Sequence, residues 1–160
     1  MSESYILSTI VENKPGVLFK ASNMFRRRGF NIESITVGPI EQPGLSKMTI
    51  VVNGDESTVE QLVKQLAKLI DVIKIVRLET KNSVVRELAL IKVNASDQKA
   101  RADLMNYVQI FRGKVVDVGE ETMTIEVTGA PDKIDAFIKI LTSFGIRDIS
   151  RTGITAIARG

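Results

Sequence analysis

MTIVVNG, residues Met48–Gly54, returns 75 residues later as MTIEVTG, Met123–Gly129. Alternating apolar and β-branched positions closed by a glycine predict a strand running into a turn. The likeness continues downstream. Val59, Leu62, Val63, Leu66 and Leu69 recur at the spacing of one helix face, and the same offset lands on Ile134, Phe137, Ile138, Leu141 and Phe144. Two unrelated amphipathic helices could share such a stripe, but they would not also share the strand and glycine before it. A duplicated unit therefore organises the chain.

Ahead of the first copy, YILSTIVE (5–12) predicts a strand, VLFKASNMFRRR (17–28) a helix and FNIESITV (30–37) a second strand. LSKMTIVV (45–52) supplies a hairpin partner, STVEQLVKQLAKL (57–69) a second helix and VIKIVRLE (72–79) a closing strand, with Gly, Pro, Asn and Asp at the joints. The second half repeats the order through RELALIKVNA (86–95), QKARADLMNYVQIF (98–111), KVVDVGEE (114–121), TMTIEVTG (122–129), KIDAFIKILTSF (133–144) and IRDISRTGITAIA (146–158). The expected class is α+β, with two tandem ferredoxin-like βαββαβ units. Each is an antiparallel sheet with two helices on one face. The domains read as 1–80 and 84–160, joined near Lys81–Ser83. The uncovered sheet faces and edges predict pairing within the chain, between chains, or both.

Composition removes several function classes. The 160 residues are 44% hydrophobic, ample for packed cores, and carry 22 Lys and Arg against 19 Asp and Glu, a net charge of +3. Divided at Thr80, the halves are net +1 and +2, so neither holds the concentrated charge of a nucleic-acid footprint. RNA-recognition domains share the βαββαβ order, but they stack bases on sheet aromatics, whereas MTIVV and MTIEV are aliphatic. The absence of Cys and His removes thiolate nucleophiles, imidazole bases, disulfides and Cys or His zinc sites. Asp117, Glu120 and Glu121 could be imagined as a metal or acid cluster, but a solvated strand end and turn account for them. No apolar run reaches the ~20 residues of a membrane span. A soluble cytoplasmic protein, with neither membrane nor nucleic-acid partners, is expected.

The copies differ where chemistry could enter. NKPGVL (13–18) in the first half has no Pro-Gly counterpart in VNASDQKARADL (93–104) of the second, and GPIEQPGLSK (38–47) joins the first hairpin where little more than EET joins the second. Pro15 has no N–H to lose and suits an early helical position. Gly16 lacks the Cβ that would hold a ligand off the backbone. Exposed N–H groups at a helix start make a receptor for a small carboxylate, with Asn13 able to bond a carboxylate or an ammonium. From spacing alone, a capped turn relieved by glycine is the favoured reading. Asn31 opens a strand-like run where Asn is unfavourable, as a turn residue after Gly29 or as part of a site shared between two copies. Arg26, Arg27 and Arg28 complement the negative pole of their helix.

With NKPGVL, RRRGFNIESITV, LSKMTIVV and RTGITAIARG in place, the chain resembles the small regulatory subunits of acetohydroxyacid synthase, also called acetolactate synthase, over nearly its whole length. The resemblance implies an amino-terminal ACT domain and an ACT-like carboxy-terminal domain. It implies a non-catalytic subunit that activates a separate catalytic (large) subunit and confers feedback inhibition by valine in branched-chain amino-acid biosynthesis, with leucine or isoleucine as alternatives. This chain would need no cofactor. Thiamine diphosphate, Mg and FAD belong to the expected catalytic partner. Family ACT domains pair side by side, so a homodimer or higher homo-oligomer is implied. The effector would lie between Asn13, Pro15, Gly16, Val17 and Leu18 of one copy and Asn31 and Ile32 of the other. Phe19, Lys20 and Asn23 depart from residues often found in that segment, which could alter effector preference or local packing. A stand-alone amino-acid sensor acting on another partner is the alternative.

Overall fold

The computed structural model describes residues 3–160. The first six elements are β1 (Glu3–Glu12), α1 (Val17–Arg28), β2 (Asn31–Pro39), β3 (Leu45–Gly54), α2 (Glu56–Ala67) and β4 (Val72–Leu78). After a 3-10 turn at Thr80–Asn82 come β5 (Ser83–Asn94), α3 (Gln98–Ile110), β6 (Lys114–Val118), β7 (Thr122–Gly129), α4 (Pro131–Leu141) and β8 (Ile146–Ala158). The βαββαβ order is thus present twice. The strands form two four-stranded sheets, ordered β2-β3-β1-β4 and β6-β7-β5-β8. One compact unit runs to Val84 and takes in Ile154–Gly160; the other is Val85–Gly153.

The stripe shared by the two copies survives folding position by position. Val59, Leu62 and Leu66 of α2 are buried in the first core, with Val63 and Leu69 packed at its margin. Ile134, Phe137 and Leu141 are buried in the second core, with Ile138 and Phe144 at its margin. Each helix lays this face on its central strands: Leu7, Val11, Met48, Ile50 and Val52 in the first unit, Ala89, Ile91, Val93, Ile125 and Val127 in the second. Strand alternation turns Ile6, Ser8, Thr49 and Val51 to the opposite face, where they too are buried. No aromatic ring stands among them.

Helix boundaries follow their caps. The Asp55 carboxylate accepts the Thr58 N–H at 2.8 Å and starts α2, and the Asp97 carboxylate accepts the Ala100 N–H at 2.7 Å and starts α3. Pro131 opens α4 two residues ahead of KIDAFIKILTSF, because its missing N–H costs nothing in a first turn. That helix ends at Leu141, and Thr142–Phe144 tighten into a 3-10 turn. KVVDVGEE stops as a strand at Val118, since Gly119–Glu121 form the turn. The hairpin connection expected over GPIEQPGLSK shrinks to residues 40–44, because β2 extends to Pro39 and β3 begins at Leu45.

Candidate functional site

The turn after β1 is built by backbone bonds from three directions. The Glu12 N–H donates to the Asp71 carbonyl at 2.9 Å, and the Asn13 N–H to the Gly44 carbonyl in the hairpin at 2.8 Å. The Lys14 N–H turns back to the Glu12 carbonyl at 3.0 Å, and the Val17 N–H reaches the Lys14 carbonyl at 3.4 Å. Gly16 is the residue before the helix, at φ 86°, ψ −5°. In that left-handed conformation glycine pays no Cβ penalty. Among the described residues no side chain caps α1, and no acid stands in its first turn. Helix geometry leaves the first-turn amides of Leu18 and Phe19 without intrahelical carbonyls.

Two expectations need correcting. Pro15 lies ahead of Gly16, outside the helix, so its fixed φ shapes the turn and not the first helical position. Val17 is buried against the core and its N–H already reaches Lys14, so its contribution is to anchor the helix start. Asn13, Pro15 and Gly16 are exposed, and Leu18 is 47% exposed. Charges flank the turn. Lys14 Nζ lies 2.7 Å from the Glu12 carboxylate, which holds the lysine above its ordinary pKa, and Lys20 Nζ lies 3.0 Å from Asp71.

Asn31 and Ile32 stand elsewhere. Asn31 is exposed at the start of β2, opposite Asn53, and half-buried Ile32 packs on the first core opposite Val52. Glu12 pairs instead with Leu45, at the other end of β3. From Leu45 to Asn53, at ~3.4 Å per residue, the two halves of the expected site are roughly 27 Å apart within one chain. One chain alone does not bring them together.

The second unit supplies an internal comparison. The Asn94 N–H donates to the Gly145 carbonyl at 2.9 Å, and the Ala95 N–H to the Glu121 carbonyl at 2.7 Å, the same two anchors that hold Glu12 and Asn13. Two residues then reach the helix where the first unit uses three, and the last of them is Asp97 in place of Gly16. Arg101 occupies the fourth helical position, as Lys20 does in α1. Its Nε donates to the Ala95 carbonyl at 2.7 Å, and a terminal nitrogen to the Gly119 and Glu120 carbonyls at 2.6 and 2.8 Å. An open hollow of about 530 Å³ lies there, edged by Asp97, Arg101, Val118 and Glu120. This helix start already holds a carboxylate of its own. The first unit's does not.

Among the described residues, no group of three or more His, Cys, Asp or Glu is arranged to hold a metal ion, and no helix is long and apolar enough to cross a membrane. The loop carrying Glu120 and Glu121 is tied through its carbonyls to Arg101 and Ala95. Sequence reasoning missed Gly44 and Asp71 as parts of the turn. A lone acid inside the apolar run Leu69–Ile73 was the available signal for Asp71.

Comparison with known proteins agrees with this architecture. Residues 86–160 match a family model described as the small subunit of acetolactate synthase, and residues 7–74 match one described as an AHAS small subunit-like ACT domain. A probable acetolactate synthase small subunit from Methanothermobacter thermautotrophicus is 51% identical over 158 residues, covering 99% of this chain and 94% of that protein. This chain belongs to the acetolactate synthase small-subunit family. The Mycolicibacterium smegmatis acetolactate synthase small subunit is 52% identical over 157 residues, covering 98% of this chain and 92% of that protein. A crystal structure of an acetolactate synthase small subunit from Thermotoga maritima superposes with a TM-score of 0.92 at 47% identity, over 99% of this chain and 98% of that one. Two tandem ACT-type units are thus the family's fold as well as this chain's.

Proposed function

We propose that this chain is the regulatory, non-catalytic subunit of an acetolactate synthase in the cytoplasm, that it activates the catalytic subunit, and that it makes the enzyme sensitive to valine. Thiamine diphosphate, Mg and FAD would belong to the catalytic partner. The observation that carries the effector reading is the uncapped start of α1 at Gly16, set against the Asp97-capped start of α3. Two units hold the same turn by the same two backbone anchors, and only one leaves its helix N-terminus open to an outside carboxylate.

The sheet order supports a site shared between two copies. β2 is an edge strand, and its Pro39 end pairs with Ser46, close to the Gly44 that holds Asn13. If two β2 edges meet antiparallel about a two-fold axis, the Asn31 end of one lies beside the Pro39 end of the other. Asn31 and Ile32 of one copy then approach the Asn13–Leu18 turn of its partner. The polar groups suit a zwitterionic head, the aliphatic neighbours suit a branched side chain, and no acid–base pair is needed. Valine would act through its differential affinity for active and inhibited assemblies, typically ~1–3 kcal/mol of coupling.

Calorimetric titration of the full chain with valine, leucine and isoleucine tests the reading, followed by reconstitution with the catalytic subunit. Saturable binding and valine-dependent loss of the reconstituted activity are expected. Binding without any effect on the catalytic subunit would favour the stand-alone sensor, and no binding with or without that subunit would refute the effector site.

A further inference from the structure

Asp71 touches both ends of the turn. Its carbonyl accepts the Glu12 N–H at 2.9 Å where β1 ends, and its Oδ2 accepts a hydrogen bond from Lys20 Nζ at 3.0 Å one turn into α1. The Lys20 N–H donates to the Gly16 carbonyl at 2.9 Å, which closes a chain of contacts running from Glu12 through Asp71 and Lys20 to Gly16. The pair is asymmetric: the Asp71 side chain is 8% exposed and that of Lys20 54%. Burying a carboxylate so far from water is costly unless a cation or several donors face it.

The duplicated unit solves the same mechanical problem without this pair. Gly145, at φ 89°, stands where Asp71 does and offers only its carbonyl. Arg101 spends its donors on three backbone carbonyls. Retaining the strand-end anchor did not require a carboxylate there, so the Asp71 side chain has a task that the second unit lacks. What the first unit has in addition is the open helix start, approached through an exposed turn one residue longer. Without a capping side chain to fix it, that turn depends on its neighbours for the spacing of its amides.

We infer that Asp71 is a positioning residue for the effector turn: its carbonyl fixes the end of β1, and its carboxylate, through Lys20, fixes the first turn of α1. The first-turn amides of Leu18 and Phe19 are thereby held at the separation that a bound carboxylate needs. This inference rests on the effector reading. Neither side chain has to touch the ligand, and the pair acts through the backbone it holds.

The test is a set of full-length variants, Lys20→Arg, Lys20→Met and Lys20→Met/Asp71→Asn, each titrated with valine and melted. Lys20→Arg keeps the pair and is expected to keep both affinity and Tm. Lys20→Met leaves a buried carboxylate unpaired; Tm should fall by about 5 °C and valine affinity by about tenfold or more. The double variant removes the stranded charge, so Tm should return to within about 2 °C of the parent while affinity stays low. A double variant that recovers Tm and binds valine like the parent would overturn the inference and leave the pair with a role in stability alone. Failure of the unmodified chain to bind valine, leucine or isoleucine, with or without the catalytic subunit, would overturn the effector reading, and the inference with it.

Discussion

Replacing Gly16 separates backbone strain from ligand recognition, because two substitutions there should move stability and binding in different orders. Gly16→Ala places a Cβ where the structure has open space, with no atom within 4 Å, so no clash enters. What remains is the φ of 86°, worth ~1–2 kcal/mol for an L-residue, less ~0.5–1 kcal/mol recovered from a less flexible unfolded chain. A net loss of about 1 kcal/mol is expected, a fall in Tm of about 3 °C for a chain of this size. Gly16→Asp meets the same backbone, which Asp tolerates better, and adds a carboxylate at the positive end of a helix with no acid in its first turn. That interaction returns ~0.3–1 kcal/mol, so the Asp variant should be at least as stable as the Ala variant.

Binding should run the other way. A second carboxylate about 4 Å from that of valine costs ~1 kcal/mol where water screens it and ~4 kcal/mol near a protein surface of lower dielectric. The loss of affinity therefore lies between about fivefold and about a thousandfold, toward the larger value if a second copy closes the site. Gly16→Ala adds bulk without charge and should bind more tightly than Gly16→Asp. Thermal melts and valine calorimetry on both variants decide the matter. An Asp variant that melts with the parent and binds valine equally well would refute the carboxylate position. An Asp variant less stable than Ala by 2 kcal/mol or more would refute the open helix start.

Other expectations follow from individual contacts. The fully buried Thr9 hydroxyl, on a strand residue opposite Met48 and Ile75, finds no hydrogen-bond partner among the described residues, so Thr9→Val should raise stability by about 1 kcal/mol; a lower Tm would refute an unmet hydroxyl. Arg151 bridges Glu87, whose side chain is 5% exposed, and exposed Asp135, and those carboxylates hold the guanidinium well above its ordinary pKa. Arg151→Leu should cost about 3 kcal/mol in denaturant melts by stranding Glu87, and adding Glu87→Leu should recover most of it. Hydrogen bonds from the Thr58 backbone and hydroxyl hold Asp55 below its ordinary pKa of 3.8. The depressed folded value means that this stabilisation is present above about pH 3.8 and is lost as pH falls through the lower folded value. An Asp55→Asn variant should show a flatter acid limb in melts across that window, and an unchanged limb would refute the assignment. Gly44 ties the exposed hairpin to the Asn13 turn, which makes that loop a candidate to relay valine binding to the catalytic subunit. Shortening it at residues 41–43 while keeping Gly44 should leave valine binding in place and weaken inhibition of the reconstituted enzyme, and unchanged inhibition would refute the relay.

Much of the fold was legible because its determinants are periodic. The helix stripe from Val59 to Leu69 and its image from Ile134 to Phe144 each depend on one repeat length, and VLFKASNMFRRR has the same limits in the structure as in the sequence reading. The misjudged boundaries were set by single contacts. Pro131 can begin a helix only because a first turn has no use for its N–H, and KVVDVGEE loses its last residues to a turn in which the Gly119 N–H bonds the Thr122 carbonyl. The site was legible as a turn and not as a scaffold. NKPGVL could be located by its proline and glycine, whereas Gly44 and Asp71 approach it across the fold, and the lone acid in an apolar run that marks Asp71 does not say which turn it serves.

The duplication gives the sharpest physical argument about regulation. Both units tie the end of a strand to one turn and one hairpin, and they part company at the next step, where Asp97 completes one helix and Gly16 leaves the other incomplete. An open N-terminus forgoes the ~1 kcal/mol that a cap contributes, so on the effector reading a bound carboxylate restores in the first unit what the second carries permanently. The opposing residues Asn31 and Ile32 lie near the far end of β3, so a ligand held at both ends needs two copies. Linkage then requires valine to strengthen their pairing, by up to about 2.7 kcal/mol for each of the two sites of a two-fold pair at a hundredfold excess over Kd if a single copy has no affinity. Sedimentation with and without valine measures that shift, and pairing indifferent to valine would place the whole site within one copy, against the 27 Å estimated from the strand rise.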